Sequence, residues 1–472
     1  MPSYTQYMRQ MAVLDADEDI KWITVKGNPV PIKKGQNKGD AVKEFFEKKN
    51  GGSAKKTEPK KLEKPAKKEA PKPAKKEEPK KAESAPAKIR GWKYENLNGR
   101  AHYSKMYGDK EVTFFESSNE EGWKTNAGLV DTFKTPQEAV SAVENYLIGN
   151  MIDKNVKNKD QRKTLKDMMK SAIESKHNPN ITVEQVYADA IAGGKYSEKD
   201  IKARIALFDE VTAKGLRKAP DGKVHSYDTL WRHTTGGKWV DGELVDYTWK
   251  PERLEIQKAI LKQDKKGWKN KLPEKGQKPK LIILGGRGGS GKSLFTKKDK
   301  ETGKLVLGDD GYDKDKYLVV DPDSYKERLP EYKSLVDKKD PRAGLNAWEV
   351  HEESSFMKKA MLKWAKDKGI NIVLDGTLAN YGSTAKTIAE FKKAGYDVEG
   401  AYMRLPREKS AVRGVNRGMN IAEGGRWVPS ELMLAMTDNE ENFIKMIPEF
   451  TKWSIYDNDV PLGTRAKMIA KS

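Results

Sequence analysis

The sequence predicts an α/β fold in which helices flank a parallel sheet, and three observations carry this prediction. Residues 281–284 are an aliphatic run that leads into a glycine-rich turn at residues 285–293. Two later apolar runs, at residues 317–320 and 370–374, end in carboxylates and small polar residues. Helix-like segments separate these runs, and strands that alternate with helices are typical of parallel sheets.

Composition limits what the rest of the chain can be. At 472 residues it is long enough for two or three folded units. No apolar run is long enough to span a bilayer, and no signal-peptide pattern opens the chain, so we expect no membrane partner. The absence of cysteine excludes disulfides and cysteine nucleophiles and fits a reducing cytoplasm. The formal charge of +21 favours contact with polyanions, although lysines can simply keep a protein soluble.

The first 88 residues lack the apolar content of an independent domain. Residues 1–50 are interpreted as a docking or anchoring segment with a short strand at residues 21–25. Residues 51–88 repeat lysine, glutamate, proline and alanine, with 13 lysines and 6 glutamates. Such a segment cannot offset the entropy cost of ordering, so we expect a disordered basic linker. Its charge would attract nucleic acid weakly and in a salt-sensitive manner.

Three units are predicted after the linker. Residues 89–150 are a small α+β module, because short alternating strands precede a helix that begins at the capping box of residues 135–138. Residues 151–244 are predicted to be a helical connector, and residues 245–472 are the unit that contains the parallel sheet. One face of the connector's first helix carries four apolar residues: Leu165, Met168, Met169 and Ile173.

The glycine-rich turn fits the P-loop pattern G-x-x-x-x-G-K-[ST] at every specified position. We expect a buried strand, a loop whose backbone N–H groups surround a β-phosphate, and a helix that begins near Lys292. Lys292 would contact the β- and γ-phosphates, and the Ser293 hydroxyl would bind magnesium. A glycine-rich surface turn is the alternative, but it would not need the Lys-Ser pair. The predicted nucleotide-binding residues are Gly286, Gly288, Gly289, Ser290, Gly291, Lys292 and Ser293.

Polar residues also follow the second and third predicted strands. Ligands bind beyond the carboxyl ends of the strands in an open α/β sheet, so Asp321 and Asp323 would lie beside the phosphates. One carboxylate can orient or deprotonate an acceptor hydroxyl while another helps to bind magnesium. The alternative for Asp323 is to cap the helix that follows. The third strand ends in Asp375, Gly376 and Thr377. His351 lies among carboxylates at the start of a predicted helix. Such a histidine is usually on the surface, and the alternative is that it binds substrate or positions a loop.

Arginines cluster after the fourth predicted strand. Arg413 and Arg417 are four residues apart and share one helix face. Phosphoryl transfer needs such cations over the migrating γ-phosphate, whereas a solvated basic face is the alternative for any single arginine. Arg426 lies in a turn at residues 423–429 that we expect to be a mobile lid. A lysine- and glycine-rich insertion at residues 297–316 is predicted to be an exposed excursion.

Taken together, these segments resemble the zeta toxin family of P-loop kinases. The matching segments are GGRGGSGKS (285–293), VDPDSYKERLPEY (320–332), VHEESS (350–355), IVLDGTL (372–378), AGYDV (394–398), RGVNR (413–417) and GGRWVP (424–429). They cover about residues 245–460, roughly half of the chain. The resemblance implies a P-loop kinase-type sheet and the transfer of phosphate from ATP or GTP, with Mg2+, to a UDP-sugar such as UDP-N-acetylglucosamine.

The resemblance also implies roles for individual residues. The catalytic set is Lys292, Asp323, Arg413, Arg417 and Arg426. In this set Asp323 would be the base, and Arg417 would compete with Arg413 for the role of phosphate-binding arginine. The predicted substrate-binding residues are Asp321, His351, Asp375, Gly376 and Thr377.

A second, shorter resemblance concerns the start of the chain. Residues 22–32 (WITVKGNPVPI) are similar to segments of phage head-associated proteins. This implies a phage-encoded protein with a phage structural partner, located in the bacterial cytoplasm or on the virion. Three functions follow: a small-molecule kinase, a polynucleotide kinase or other nucleic-acid-acting NTPase, and a non-enzymatic virion protein with a degenerate P-loop domain. The intact Gly-Lys-Ser, Asp323 and the arginines favour the first.

Overall fold

The computed structural model of the protein covers most of the chain after residue 88. It describes residues 20–25, 28–33, 89, 92–97, 100–107, 110–117, 122–129, 132–218, 223–240, 243–461 and 464–472. Near the start of the chain, strands β1 (Ile20–Val25) and β2 (Asn28–Lys33) form an antiparallel pair, and the first of them contains the predicted strand. The predicted linker at residues 51–88 lies outside the described residues.

An antiparallel sheet and one helix follow, as predicted for the small α+β module. The strands lie side by side in sequence order: β3 (Lys93–Leu97), β4 (Arg100–Tyr107), β5 (Lys110–Glu116) and β6 (Trp123–Thr125). Helix α1 (Pro136–Asn155) begins after Thr135, whose hydroxyl accepts a hydrogen bond from the Glu138 N–H. The capping box therefore starts the helix where the sequence predicts. Phe114 of the sheet and Val143 of the helix share one core.

Three helices come next: α2 (Lys159–His177), α3 (Val183–Ala192) and α4 (Glu198–Lys214). The four apolar residues predicted for one face of α2 are all buried. They share a core with Leu281 and Ile455 of the main sheet. Helix α4 packs elsewhere, with the ring of Phe208 6.4 Å from that of Trp427. The helices expected to form a connector thus pack directly on the unit that follows them.

The end of the expected helical connector is largely β-structured. Its elements are β7 (Leu216–Lys218), β8 (Val224–Ser226), α5 (Thr229–Arg232), β9 (Thr234–Thr235), β10 (Lys238–Val240), β11 (Glu243–Val245) and β12 (Thr248–Trp249). The strands pair antiparallel as β7–β8, β9–β12 and β10–β11. His225 stacks on Trp239 with ring centroids 4.0 Å apart, and Trp231 packs beside both. Such short strands carry too little periodicity to be read from sequence, and aromatic contacts hold them together.

The main sheet has six strands in the order β14-β15-β13-β16-β17-β18. They are β13 (Lys280–Gly285), β14 (Leu318–Val320), β15 (Ile372–Asp375), β16 (Asp397–Arg404), β17 (Lys452–Asp457) and β18 (Lys467–Lys471). The first five of these are parallel, and β18 runs antiparallel to β17. Strands β14 and β15 lie on one side of β13, and the later strands β16, β17 and β18 lie on the other. The carboxyl ends of β15, β13 and β16 therefore border the crevice where ligands bind in such sheets.

Helices flank this sheet as the sequence predicts. They are α6 (Pro251–Asp264), α7 (Pro322–Lys326), α8 (Pro330–Asp337), α9 (His351–Asp367), α10 (Tyr381–Lys393), α11 (Arg407–Met419), α12 (Ser430–Ala435) and α13 (Asn439–Met446). Short 3-10 turns lie at Trp268–Lys271, Lys292–Thr296, Gly308–Asp310, Ala347–Val350, Ile421–Glu423 and Ile447–Glu449. In the part of the chain that the structure describes, no helix is both long and apolar enough to cross a membrane.

The insertion at residues 297–316 is not the exposed excursion that its lysines and glycines indicate. Leu307 and Tyr312 are buried with Phe295 in a core on one face of the sheet. The hydroxyl of Tyr456, on β17, donates to Asp310 Oδ2 at 2.8 Å. A few apolar and aromatic side chains are therefore enough to hold an otherwise polar segment against the sheet.

Candidate active site

The loop after β13 uses glycine at positions with positive φ angles, but no α-helix follows it. Gly286 and Gly291 have φ angles of 140° and 94°, which favour glycine. The expected helix near Lys292 is only a 3-10 turn, Lys292–Thr296. Phe295 in this turn is fully buried, and its carbonyl accepts a hydrogen bond from the Tyr312 N–H at 2.6 Å. Packing of residues 297–316 against this turn thus prevents it from continuing as an α-helix.

Lys292 closes the loop on itself. Its Nζ donates to the carbonyls of Gly286 at 2.8 Å and Arg287 at 3.3 Å. The same atom lies 3.6 Å from Asp375 Oδ1, at the end of the neighbouring strand β15. The next residue, Ser293, is exposed. The structure therefore places Lys292 between the loop and Asp375.

Arg287 occupies an unspecified position of the loop pattern and has a structural role. Its guanidinium is buried and pairs with Glu440, with Nη2 2.6 Å from Oε2. Its Nε donates to the Met436 carbonyl at 2.8 Å. Burial opposes the charge of Arg287, but Glu440 outweighs it and raises the pKa of the guanidinium. The pair fixes the base of the loop to the segment around helix α13.

Helix α11 lies directly against the loop. The Ser410 hydroxyl donates to the Gly288 carbonyl at 2.5 Å. Arg413 donates to the Gly289 carbonyl at 3.3 Å and to the Asn458 carbonyl at 3.1 Å. The predicted arginine is thus at the loop, and its contacts here are with backbone oxygens.

Asp323, the predicted base, is surrounded by cations. Arg426 Nη1 lies 2.7 Å from Asp323 Oδ2, and Lys326 Nζ lies 3.1 Å from Oδ1. Burial opposes ionisation of Asp323, but the charges of Lys326 and Arg426 outweigh it and lower its pKa to about 2. Burial and the neighbouring Arg426 charge lower the pKa of Arg417 to about 10. Among the described residues, the buried Nε of Arg417 has no hydrogen-bond partner.

The other two carboxylates of the site differ from Asp323. Asp321 is the N-cap of α7, and its Oδ1 accepts a hydrogen bond from the Asp323 N–H at 2.9 Å. The capping role considered for Asp323 therefore belongs to Asp321. Burial and the charge of Asp323 raise the pKa of Asp321. Burial raises the pKa of Asp375 to about 6, although Lys292 opposes this shift. Carboxylates whose pKa values are pushed apart can take different chemical roles.

The turn after Asp375 is held from both sides. The Gly376 N–H donates to the Leu284 carbonyl at 3.1 Å, which extends the pairing of the two strands. Asn439 Nδ2 donates to the Thr377 carbonyl at 2.6 Å. Leu378 has a φ of 60°, a conformation that costs a non-glycine residue about 1–3 kcal/mol. Such backbone strain is typical of sites whose geometry is fixed for binding.

His351 begins helix α9, and its side chain is open to solvent but lies within the site. Burial by the surrounding residues and the charge of Lys326 lower the pKa of its imidazole to about 3, whereas Asp323 opposes this shift. Lys358, further along the same helix, interacts with Asp321 and Asp375, and burial lowers its pKa. The sequence did not single out Lys326 or Lys358, because lysines are common throughout the chain.

The turn that carries Arg426 was expected to be a mobile lid, but it is packed in the structure. The Gly425 N–H donates to the Asn420 carbonyl at 2.9 Å, and the Trp427 N–H donates to the Gly344 carbonyl at 3.2 Å. The Trp427 side chain is buried. Arg426 therefore reaches Asp323 from a well-anchored turn.

A family model matches the part of the chain that contains this site. Residues 263–460 match the family model described as Zeta toxin. These residues are a zeta toxin family domain. A curated relative, Toxin zeta of Enterococcus hirae, is 27% identical over 144 residues, which cover 30% of this chain and 45% of the relative. The chain thus matches less than half the length of that relative.

Two solved structures are similar to part of this chain. One is from the PezAT toxin–antitoxin system of Streptococcus pneumoniae, with 18% identity, a TM-score of 0.35 and coverage of 46% of this chain and 81% of that one. The other is the AvrRxo1-ORF1:-ORF2 complex with ATP, with 22% identity, a TM-score of 0.35 and coverage of 47% and 68%. All the predicted site residues lie within the zeta toxin family domain, whereas helices α1 to α4 precede it.

Asn458 of the zeta toxin family domain was missed by the sequence reasoning. Its Nδ2 donates to the Ser290 carbonyl at 2.7 Å, and a Cβ on Gly291 would lie only 2.4 Å from that nitrogen. Asn458 follows β17, a parallel strand that was not predicted. The apolar run of residues 453–456, followed by polar residues, was the signal that could have identified both.

Proposed function

We propose that the protein is a magnesium-dependent kinase that transfers the γ-phosphate of ATP or GTP to a hydroxyl of a small molecule. One observation carries the proposal. The Gly-Lys-Ser loop, the carboxylates Asp323 and Asp375, and the arginines Arg413, Arg417 and Arg426 converge at one edge of the sheet. Phosphoryl transfer depends chiefly on positioning and charge neutralisation, and this set supplies both.

On the donor side, the backbone of the loop would hold the phosphates and Lys292 would pair with them. To do so, Lys292 exchanges its hydrogen bonds to the Gly286 and Arg287 carbonyls for phosphate oxygens. Arg417 is suited to the same task, since its buried Nε has no partner among the described residues. A charged hydrogen bond to a phosphate oxygen would satisfy it.

The residues of the site also fit a magnesium ion. Among the described residues, no cluster of three or more His, Cys, Asp or Glu side chains could hold a metal. Magnesium is usually held by one or two protein oxygens together with phosphate oxygens and water. Ser293 and Asp321 offer a hydroxyl and a carboxylate at the same edge of the sheet. When bound, the ion would neutralise charge on the β- and γ-phosphates.

On the acceptor side, Asp323 would orient the attacking hydroxyl and accept its proton. Its low pKa reflects the pairing with Arg426 and Lys326. When the charge of Arg426 turns to the γ-phosphate, Asp323 loses that stabilisation and becomes a stronger base. Asp375, with a pKa of about 6, is ionised at neutral pH and would bind a second hydroxyl beside Thr377.

We take a UDP-sugar such as UDP-N-acetylglucosamine as the acceptor. The resemblance to zeta toxin kinases supports this choice, and so do Lys326 and Lys358, cations that could pair with a diphosphate. The resemblance of residues 22–32 to phage head-associated segments suggests a phage-encoded enzyme, acting in the bacterial cytoplasm or associated with the virion.

Phosphate transfer from labelled ATP tests the proposal. The full chain is incubated with ATP and Mg2+ and offered UDP-sugars, RNA or DNA ends, or no acceptor. Label on a UDP-sugar that Lys292→Ala abolishes supports the proposal, and Lys297→Ala, an exposed lysine nearby, serves as the control. Label on a polynucleotide would show instead that the protein is a nucleic-acid kinase. The absence of both transfer and ATP turnover would indicate a non-enzymatic protein.

A further inference from the structure

Arg204 belongs to helix α4, outside the zeta toxin family domain, yet its guanidinium is buried inside that domain. Its side chain has a relative exposure of 5%. It donates to four backbone carbonyls, those of Pro341, Ala343, Gly418 and Gly425. The Nε–Gly418 distance is 3.1 Å, and Nη2 lies 2.7 Å from the Ala343 oxygen and 2.9 Å from the Gly425 oxygen.

Two of these carbonyls belong to the segments that carry Arg417 and Arg426. Gly418 lies in the last turn of α11, directly after Arg417. Gly425 directly precedes Arg426, which reaches Asp323 at 2.7 Å. One planar guanidinium therefore ties the end of the arginine helix to the arginine turn. The fork geometry of arginine suits this task, because its donors point in fixed directions.

The surroundings make this contact selective for arginine. All four acceptors are neutral, and no carboxylate of the described residues forms an ion pair with Arg204. Burial lowers the pKa of Arg204 to about 10, so the guanidinium stays charged at neutral pH. Without it, these carbonyls would lose a buried hydrogen-bond donor, which is unfavourable. A Cβ on Gly425 would lie 2.7 Å from Nη2, so little space remains for another arrangement.

We propose that Arg204 is a positioning residue that holds Arg426 and the end of α11 in place for phosphoryl transfer. The inference rests on the proposed kinase function, and it assigns part of the active-site support to a helix outside the family domain. Misplacement of a reacting group by about 1 Å can lower a rate about 100-fold. We therefore expect loss of Arg204 to act on the chemical step rather than on nucleotide binding.

The test is a double-mutant cycle in the full chain between Arg204→Ala and Arg426→Ala. We expect Arg204→Ala to lower kcat about 10- to 100-fold and to change KM for ATP less than about 3-fold. In the Arg426→Ala background the same change should lower kcat less than about 3-fold, because the group that it positions is already gone. Arg204→Lys keeps the positive charge but loses the forked arrangement of donors, so its kcat should lie between those of the wild type and Arg204→Ala.

Two controls separate positioning from lost stability. Lys202→Ala removes an exposed lysine of the same helix and should change neither kcat nor the melting temperature. Ile201→Val weakens the buried face of that helix and should lower the melting temperature while leaving kcat of the folded protein intact. If Arg204→Ala has the same fold effect with and without Arg426, Arg204 does not act through Arg426 and the inference fails.

Hydrogen exchange gives a readout that does not need activity. Amides of residues 420–427 should exchange at least about 10-fold faster in Arg204→Ala, but not in Lys202→Ala, since local opening controls exchange. Unchanged exchange there would overturn the inference even if the kinase is active. A wild-type protein without any phosphoryl transfer, together with faster exchange in the variant, would instead overturn the proposed function and the catalytic part of the inference.

Discussion

Replacing Asp375 by asparagine should make the protein more stable and less active at the same time. The carboxyl is mostly buried at the end of β15, and burial raises its pKa from 3.8 to about 6 despite Lys292 at 3.6 Å. A carboxyl whose pKa is raised by folding destabilises the folded state as pH rises from the unfolded pKa to the folded pKa. The destabilisation is complete above the folded pKa. Asparagine has nearly the same shape and never ionises, so it removes this cost.

The size of the effect follows from the two pKa values. Their difference corresponds to about 3 kcal/mol of unfolding free energy at pH 7.5. At pH 4.5 Asp375 is already neutral in most of the folded protein. The same relation then predicts that Asp375→Asn gains only about 1 kcal/mol of unfolding free energy over the wild type. Urea unfolding of the wild type and Asp375→Asn at both pH values measures the two gains. The control is Asp367→Asn, an exposed helix position paired with Lys363.

Two results would refute this reasoning. If Asp375→Asn is no more stable than the wild type at pH 7.5, folding does not disfavour the charged carboxyl. If the gain is equal at both pH values, it does not come from ionisation. Activity supplies an independent check, because kcat/KM of the wild type should rise with pH to a plateau above about 6. Asp375→Asn should lose that acidic limb and keep only a small residual rate.

Three further predictions concern the support of the site. Asn458→Ala removes the hydrogen bond to the Ser290 carbonyl and should raise KM for ATP about 10-fold with little change in kcat, as initial-rate kinetics would show; an unchanged KM would contradict this. Glu440→Ala leaves Arg287 buried without its partner and should lower the free energy of unfolding in urea by about 3–5 kcal/mol; a loss below about 1 kcal/mol would contradict it. Leu165→Ala should lower the free energy of unfolding by about 2–5 kcal/mol, and thermal unfolding should still show one transition, at a lower temperature, because Leu165 and the sheet share a core. A separate transition at lower temperature would argue against a common core.

The parallel sheet could be predicted because three of its strands end in a chemical signal. An aliphatic run followed by Gly-Lys-Ser, by Asp-Pro-Asp or by Asp-Gly-Thr combines burial with a polar carboxyl end. Strand β17 is followed by polar residues but by none of these motifs, β18 has no comparable signal, and both were missed. They take their place through pairing with β16 and with each other, which is a property of the assembled sheet.

The predicted site residues meet at one edge because topology brings strand ends together, and this could be foreseen. Their individual partners could not. Whether Arg413 contacts a carboxylate or the Gly289 carbonyl depends on the exact approach of α11 to the loop. Likewise, Asp321 rather than Asp323 caps α7, since Pro322 takes the first helical position. Distances of a few ångströms decide such roles, and residue spacing does not encode them.

The largest departures concern segments whose composition is misleading. The lysines of residues 297–316 indicate exposure, but Tyr312 and Leu307 anchor the segment in a core. Helix α4 reads as an ordinary amphipathic helix, and one arginine among many gives no sign that it is buried. The role of Arg204 depends on the carbonyls of Gly418 and Gly425, which lie more than 200 positions away in sequence and meet only in the folded structure.

The packing of helix α2 on strand β18 has a consequence for synthesis on the ribosome. About 300 residues separate the two elements. At about 5–20 residues per second, the helix emerges about 15–60 s before the strand that covers it. During that time the helix face that carries Leu165 and Ile173 is not yet covered by the complete sheet, and exposed apolar faces of this kind favour aggregation or chaperone binding. We therefore expect α2 to be a principal chaperone-binding segment of the nascent chain.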